Sequence, residues 1–162
     1  MTESIPTANL LRQYGRHADA IRLATEKVFE SGWYILGKEV QSFEEEFAAW
    51  LGISCCCGVA SGTDALALAL RSCGIEAGDE VITVSHSAVA TVAAIEQIGA
   101  VPVFVDINPL TRCIDPDLIE RVVSPKTKGI VPVHIYGQPA PMPEIMQIAK
   151  SCLLYTSPSP RD

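Results

Sequence analysis

The sequence predicts an α/β fold, a three-layer arrangement in which a mainly parallel sheet is covered by helices on both faces. One observation is a set of short apolar segments without polar alternation, as strands buried on both faces require. Another is the amphipathic segments that separate them, as crossover helices require. The third is size: 162 residues with an apolar fraction of 48% suit one domain with a real core.

Taken in chain order, the first helix is expected over about 16–31, with Ile21, Ala24, Val28 and Phe29 on one stripe and Gly32 as its stop. The second covers about 39–50, with Val40, Phe43, Phe47 and Trp50 facing inward and Gly52 just past its end. A strand over 54–60 and a helix over 63–73 follow. Strand 80–84, helix 88–98, strand 101–106, helix 116–122, strand 129–134 and helix 142–150 complete the alternation. Asp115 is a good N-cap, and Pro116 takes the first helical position, where its missing N–H costs nothing.

The net charge of −7, with no basic cluster, argues against nucleic acid and anionic membrane as partners. No apolar run reaches spanning length, and residues 1–9 lack the charged and apolar regions of a signal peptide, so a cytoplasmic location is expected. Of the six cysteines, Cys55, Cys56 and Cys57 are consecutive. In a strand their side chains would alternate between faces and could not converge on one metal ion. With no Cys-x-x-Cys pair, the cysteines up to Cys113 read as reduced core thiols, without metal or disulfide roles.

In such a sheet, ligands gather at the C-terminal ends of the strands. That selects the loops 61–64, 85–88, 106–108 and 134–138, all polar or glycine-bearing, over the plain turns at 78–79 and 124–128 on the opposite edge. The most informative of them is Ser61-Gly62-Thr63-Asp64, which joins an apolar run to a helix. Gly62 lets backbone approach a ligand, and the first-turn N–H groups and the positive end of the helix dipole favour an anion such as phosphate. A hydroxyl from Ser61 or Thr63 could add a further bond. Taken alone, the same four residues also describe an ordinary capped helix after a buried strand.

Another stretch imitates a nucleotide site. Gly32-Trp33-Tyr34-Ile35-Leu36-Gly37-Lys38 fits the opening of a P-loop, but Glu39 stands where the magnesium-binding hydroxyl belongs. The stretch also follows a helix, whereas a P-loop lies between a strand and a helix.

Residues 152–162, Cys-Leu-Leu-Tyr-Thr-Ser-Pro-Ser-Pro-Arg-Asp, carry no helical or strand period. They resemble the in-frame translation of a transposase-type sequencing adapter, so the native protein is expected to be cut near Ser151. An ordinary disordered tail is the alternative.

Several segments together resemble the DegT/DnrJ/EryC1/StrS family of pyridoxal-phosphate aminotransferases, which act mostly on nucleotide-linked sugars. They are Ser-Gly-Trp-Tyr-Ile-Leu-Gly-Lys-Glu-Val from Ser31, Ala-Ser-Gly-Thr-Asp-Ala-Leu from Ala60, Gly-Asp-Glu-Val-Ile-Thr-Val from Gly78 and Val-Ala-Thr from Val89. Further on come Val-Phe-Val-Asp-Ile from Val103, Pro-Lys-Thr-Lys-Gly-Ile from Pro125 and Pro-Val-His-Ile-Tyr-Gly-Gln-Pro-Ala from Pro132. The likeness runs from about residue 5 to 150, in order.

The resemblance implies that residues 1–151 are the N-terminal part of the large domain of a fold type I pyridoxal-phosphate transferase, with 152–162 a non-native tail. It places the cofactor phosphate on Gly62, Thr63 and Asp64, with Ser61 beside them. Members set a flat side chain against the pyridoxal ring from the next loop, usually where this chain has Ala88. His86 is the nearest ring, so it is expected to stack on or approach the cofactor, a surface histidine being the alternative. Asp106 and His134, expected to end adjacent strands, either line the pocket or cap loops. Tyr34 and Ile35 resemble a segment near the substrate, often across a dimer interface, or else pack in a core.

The family's pyridinium-binding acid and cofactor-binding lysine lie beyond the helix ending near Lys150. None of Lys27, Lys38, Lys126, Lys128 or Lys150 fits the lysine motif, so no catalytic residue is assigned and the chain alone is expected to be inactive. The intact parent is expected to be a homodimer that moves an amino group from an amino acid such as glutamate to a nucleotide-linked keto-sugar. A sugar 3-dehydratase of the same family and a non-catalytic binding or regulatory module are the alternatives. Apolar faces left without partners are expected to make the chain aggregate.

Overall fold

The computed structural model describes residues 8–152 and the backbone of 155–156. Expectations for 1–7, and for 153–154 and 157–162 of the tail, fall outside the described residues. The chain divides into two compact units, Met1–Gly58 and Val59–Asp162.

The first unit holds two helices, α1 (Leu10–Ser31) and α2 (Lys38–Leu51). α1 starts earlier than its apolar stripe suggests, because Asn9 Oδ1 accepts the Arg12 N–H at 2.9 Å and caps the first turn. Both helices end on glycines in the left-handed region, Gly32 at φ 65° and Gly52 at φ 72°. Their stripes do not face inward as expected. Ile21 and Phe29 are exposed, as are Val40, Phe43, Phe47 and Trp50, the last at 69%. The periodicity was a sound helix signal, but a stripe is buried only where another element covers it, and among the described residues of this unit none does. Phe43, Phe47 and Trp50 instead pack on one another, with ring centroids 5.5 and 5.7 Å apart.

The strand expected over 54–60 is not formed, for a strand needs a neighbour to complete its ladder and none is offered. Gly58 N–H donates instead to Glu44 Oε1 at 2.6 Å. The core thiols expected there are corrected with it. Cys55 and Cys57 are exposed, Cys56 and Cys73 are half-buried, and Cys113 is buried.

The second unit is the three-layer fold that was expected. In order it comprises α3 (Gly62–Ser72), β1 (Glu80–Val84), α4 (Val89–Gln97), β2 (Val101–Val105) and α5 (Pro116–Ile119), which runs on as a 3₁₀ turn, Glu120–Val122. β3 (Thr127–Ile130), a 3₁₀ turn (Ile135–Gly137), α6 (Met142–Ser151) and β4 (Tyr155–Thr156) follow. The strands lie in the order β2-β1-β3-β4 and pair in parallel throughout. β4 arises in a stretch expected to carry no strand. β3 stops short of the expected residue 134: Val131 N–H still donates to Ile82 O at 2.8 Å, but Pro132 has no N–H to continue the ladder.

Side chains alternate across β1 and feed two cores. Val81 packs with Ala67, Leu70, Ala94 and Ile95 of α3 and α4 on one face. Ile82 and Val84 pack with Ile119, Met142 and Ile145 of α5 and α6 on the other. Each such aliphatic contributes roughly 1.5–3 kcal/mol on burial. Among the described residues, no helix is long and apolar enough to cross a membrane.

The strand order sets the site. From β1 the chain moves outward to β2 by way of α4, then returns across β1 to β3 and continues outward the other way to β4. The direction reverses between β1 and β3, so the loops leaving their C-terminal ends run to opposite faces and open a crevice, the position where parallel sheets bind ligands.

Candidate functional site

Two features of the second unit meet at this sheet edge. α3 joins β1 through a short turn and packs against α4, so its N-terminus lies at the edge where β1 ends. Ser61 caps it: Oγ accepts the Asp64 N–H at 3.2 Å and donates to Asp64 Oδ2 at 2.7 Å. Ala65 N–H is taken by Ser61 O. The amides of Gly62 and Thr63 remain as first-turn donors without an acceptor earlier in the helix. A Cβ built on Gly62 meets nothing within 4 Å, and both Ser61 and Gly62 are exposed, so the approach to these amides is open. The Asp64 amide and carboxylate both bond Ser61 in the cap, and the two residues before it carry the free donors. An oxyanion fits this donor set and this dipole.

The β1/β3 crevice holds the second feature. His86, half-buried in the loop after β1, meets Tyr136 in the loop after β3. The rings stand edge to face with centroids 5.8 Å apart, and the Tyr136 hydroxyl lies 3.4 Å from His86 Nε2. Ala88 is the exposed N-cap residue of α4 and offers no side-chain hydrogen bond, so His86 is the ring this loop presents. The nearby Ser87 and Thr91 hydroxyls bond each other at 2.8 Å.

Of the remaining candidates, Asp106, His134 and Tyr34 each make local hydrogen bonds. β2 and β3 are separated by β1, so the expectation that Asp106 and His134 end adjacent strands is corrected. Asp106 Oδ1 accepts the Ile107 N–H at 2.8 Å, and its carbonyl accepts the Asp115 N–H at 3.1 Å. His134 Nδ1 accepts the Ala140 N–H at 2.9 Å. Both side chains thus bond loop backbone. In the first unit Tyr34 and Ile35 are exposed, so core packing is not their role there; the Tyr34 hydroxyl donates to Phe29 O at 3.3 Å.

Tyr136 was not singled out from the sequence. The signal was available: a tyrosine followed by glycine in a loop already marked as lying at the ligand edge. A cleft of about 680 Å³ between α5 and α6 is a poor rival for an anion, because Asp115, Asp117, Glu120 and Glu144 line it.

Known proteins share this arrangement of chain. A dTDP-3-amino-3,4,6-trideoxy-alpha-D-glucose transaminase of Micromonospora megalomicea subsp. nigra is 49% identical over 139 residues, covering 86% of this chain and 37% of that protein. The crystal structure of DesV from S. venezuelae, in complex with a ketimine intermediate, is similar with a TM-score of 0.92 at 39% identity, over 96% of this chain and 42% of DesV. NtdA from Bacillus subtilis, solved with bound cofactor PMP, is similar with a TM-score of 0.91 at 36% identity, over 96% of this chain and 36% of NtdA. The chain thus spans about two fifths of the length of the relatives it matches. The model of the DegT/DnrJ/EryC1/StrS aminotransferase family matches residues 16–156, and the chain belongs to that family.

Proposed function

We propose that this chain carries the phosphate-gripping part of a pyridoxal-phosphate site, in a protein that transfers an amino group from an amino acid such as glutamate to a nucleotide-linked keto-sugar. Two observations support the reading: the unengaged amides at the start of α3, and the His86–Tyr136 ring pair where the strand order reverses.

Gly62 and Thr63 hold the cofactor phosphate through their N–H groups, with the Thr63 hydroxyl beside them. Ser61 and Asp64 keep that turn in shape. His86 presents its ring to the cofactor, and the small side chain of Ala88 leaves it room. When bound, the cofactor supplies an electron sink beside the carbon that gains or loses the amino group. The acid and the lysine that complete the chemistry are not among the residues of this chain, which binds the cofactor without turning it over. The whole protein works as a homodimer in the cytoplasm, with Tyr34 and Ile35 near the substrate.

Adding pyridoxamine 5′-phosphate to the chain tests this, since that form binds without a covalent link. Saturable binding that Gly62→Asp weakens about tenfold or more is the expected result. No binding by the unaltered chain would defeat the phosphate assignment. Covalent fixation of pyridoxal phosphate by borohydride, or amino transfer from glutamate, would defeat the assignment of the lysine elsewhere.

A further inference from the structure

The loop after β3 is built to carry one side chain to one place. Its far end is pinned by the His134 ring, whose Nδ1 accepts the Ala140 N–H at 2.9 Å, and by the buried Cys113 thiol, 3.5 and 3.6 Å from the carbonyl oxygens of Gln138 and Pro139. Its start is held by the buried Thr83 hydroxyl, which donates to Val131 O at 3.0 Å. Between these anchors Tyr136 adopts φ 55°, ψ 24°, a left-handed conformation that disfavours any side chain, and Gly137 follows at φ 79°.

Burial does not explain that strain, since Tyr136 is 81% exposed. Within this unit its ring contact is His86, across the crevice. Strained positions of this kind persist where surrounding structure dictates them, and they cluster at functional sites.

We propose that Tyr136 is a positioning residue for His86. Its hydroxyl, 3.4 Å from Nε2, and the T-shaped contact between the rings hold the plane of the imidazole, so that the ring face is presented to a flat cofactor in the crevice. This rests on the reading of His86 given under Proposed function. A freely rotating imidazole would lose part of its contact to ordering entropy on each binding event, and Tyr136 removes that loss beforehand.

The test uses the 162-residue chain and its Tyr136→Phe variant, which keeps the ring and removes the hydroxyl. The chain holds three histidines, so His17 and His134 serve as internal references for His86. Imidazole ¹⁵N spectra at a pH where all three are neutral should show the His86 Nε2 resonance shifting in Tyr136→Phe while those of His17 and His134 hold. Affinity for pyridoxamine 5′-phosphate should fall about threefold or more, and further in Tyr136→Ala.

An unmoved His86 resonance would overturn the proposal, as would equal affinity in all three proteins. Loss of the His134 signal in Tyr136→Phe would overturn it too, because the tyrosine would then be supporting the loop rather than aiming the ring. If the unaltered chain binds no pyridoxamine phosphate while the His86 resonance still shifts, the cofactor reading has failed and the ring pair stands as a structural contact alone.

Discussion

The hydroxyl of Thr83, a fully buried residue of β1, donates to the carbonyl of Val131 at 3.0 Å, one residue past the end of β3. This threonine, set between Ile82 and Val84, thereby extends the β1/β3 pairing by a side-chain bond and fixes where the β3 loop leaves the sheet. Thr83→Val keeps the shape and leaves the Val131 carbonyl without that donor. The expected loss is about 1–3 kcal/mol in urea denaturation, with faster amide exchange over residues 131–138. A variant as stable as the parent, with unchanged exchange, would contradict this.

Stability and ligand binding should part company at Gly62. Aspartate there adds a negative charge at the start of α3, favourable to the helix by about 0.3–1 kcal/mol, and its Cβ meets open space. The same charge repels a phosphate. Gly62→Asp should therefore melt no lower than the parent while losing about tenfold or more in affinity for pyridoxamine phosphate. A fall in both together would point to damage in the turn instead.

Ser61→Ala removes both bonds that close the cap on Asp64. Thermal melts should register a loss of about 1 kcal/mol. Ser61→Asp, which keeps an acceptor, should recover most of the Asp64 N–H bond; if it melts lower than Ser61→Ala, repulsion between the two carboxylates outweighs the cap.

Ile82→Ala empties a fully buried site in the core between the sheet and α5/α6. The expected loss is about 2–5 kcal/mol. Guanidinium titration followed by circular dichroism measures it, and a loss below about 1 kcal/mol would mean that this core is looser than its burial implies.

Phe43, Phe47 and Trp50 form an exposed aromatic row on α2. Self-association through such a row is expected, and Phe43→Ser combined with Trp50→Ser should shift light scattering toward the monomer. Unchanged association would place the sticky surface elsewhere.

The helices, and strands β1 to β3 of the second unit, were legible because their signals are local: period, cap residues and glycine stops. What could not be read depended on neighbours. The stripe of α2 is a genuine amphipathic stripe, yet whether Phe43 is buried is decided by a covering element that periodicity cannot supply. Residues 54–60 have strand composition, but composition cannot furnish a ladder partner. At the site, Ser61-Gly62-Thr63-Asp64 was legible as a capped helix start because that chemistry is local, whereas the pairing of Ser61 with both the amide and the carboxylate of Asp64 depends on the side-chain geometry of the turn. Tyr136 escaped because its importance lies in a contact with His86, fifty residues away in the chain.

The crevice owes its existence to the order β2-β1-β3-β4, and the two apolar cores that secure that order lie on the sheet faces. Loops 85–88 and 134–138 hang from the sheet edge and contribute none of the fully buried side chains. Substitutions confined to the exposed positions of these loops therefore leave both apolar cores intact, so the crevice lining can vary while the sheet that holds it stands still.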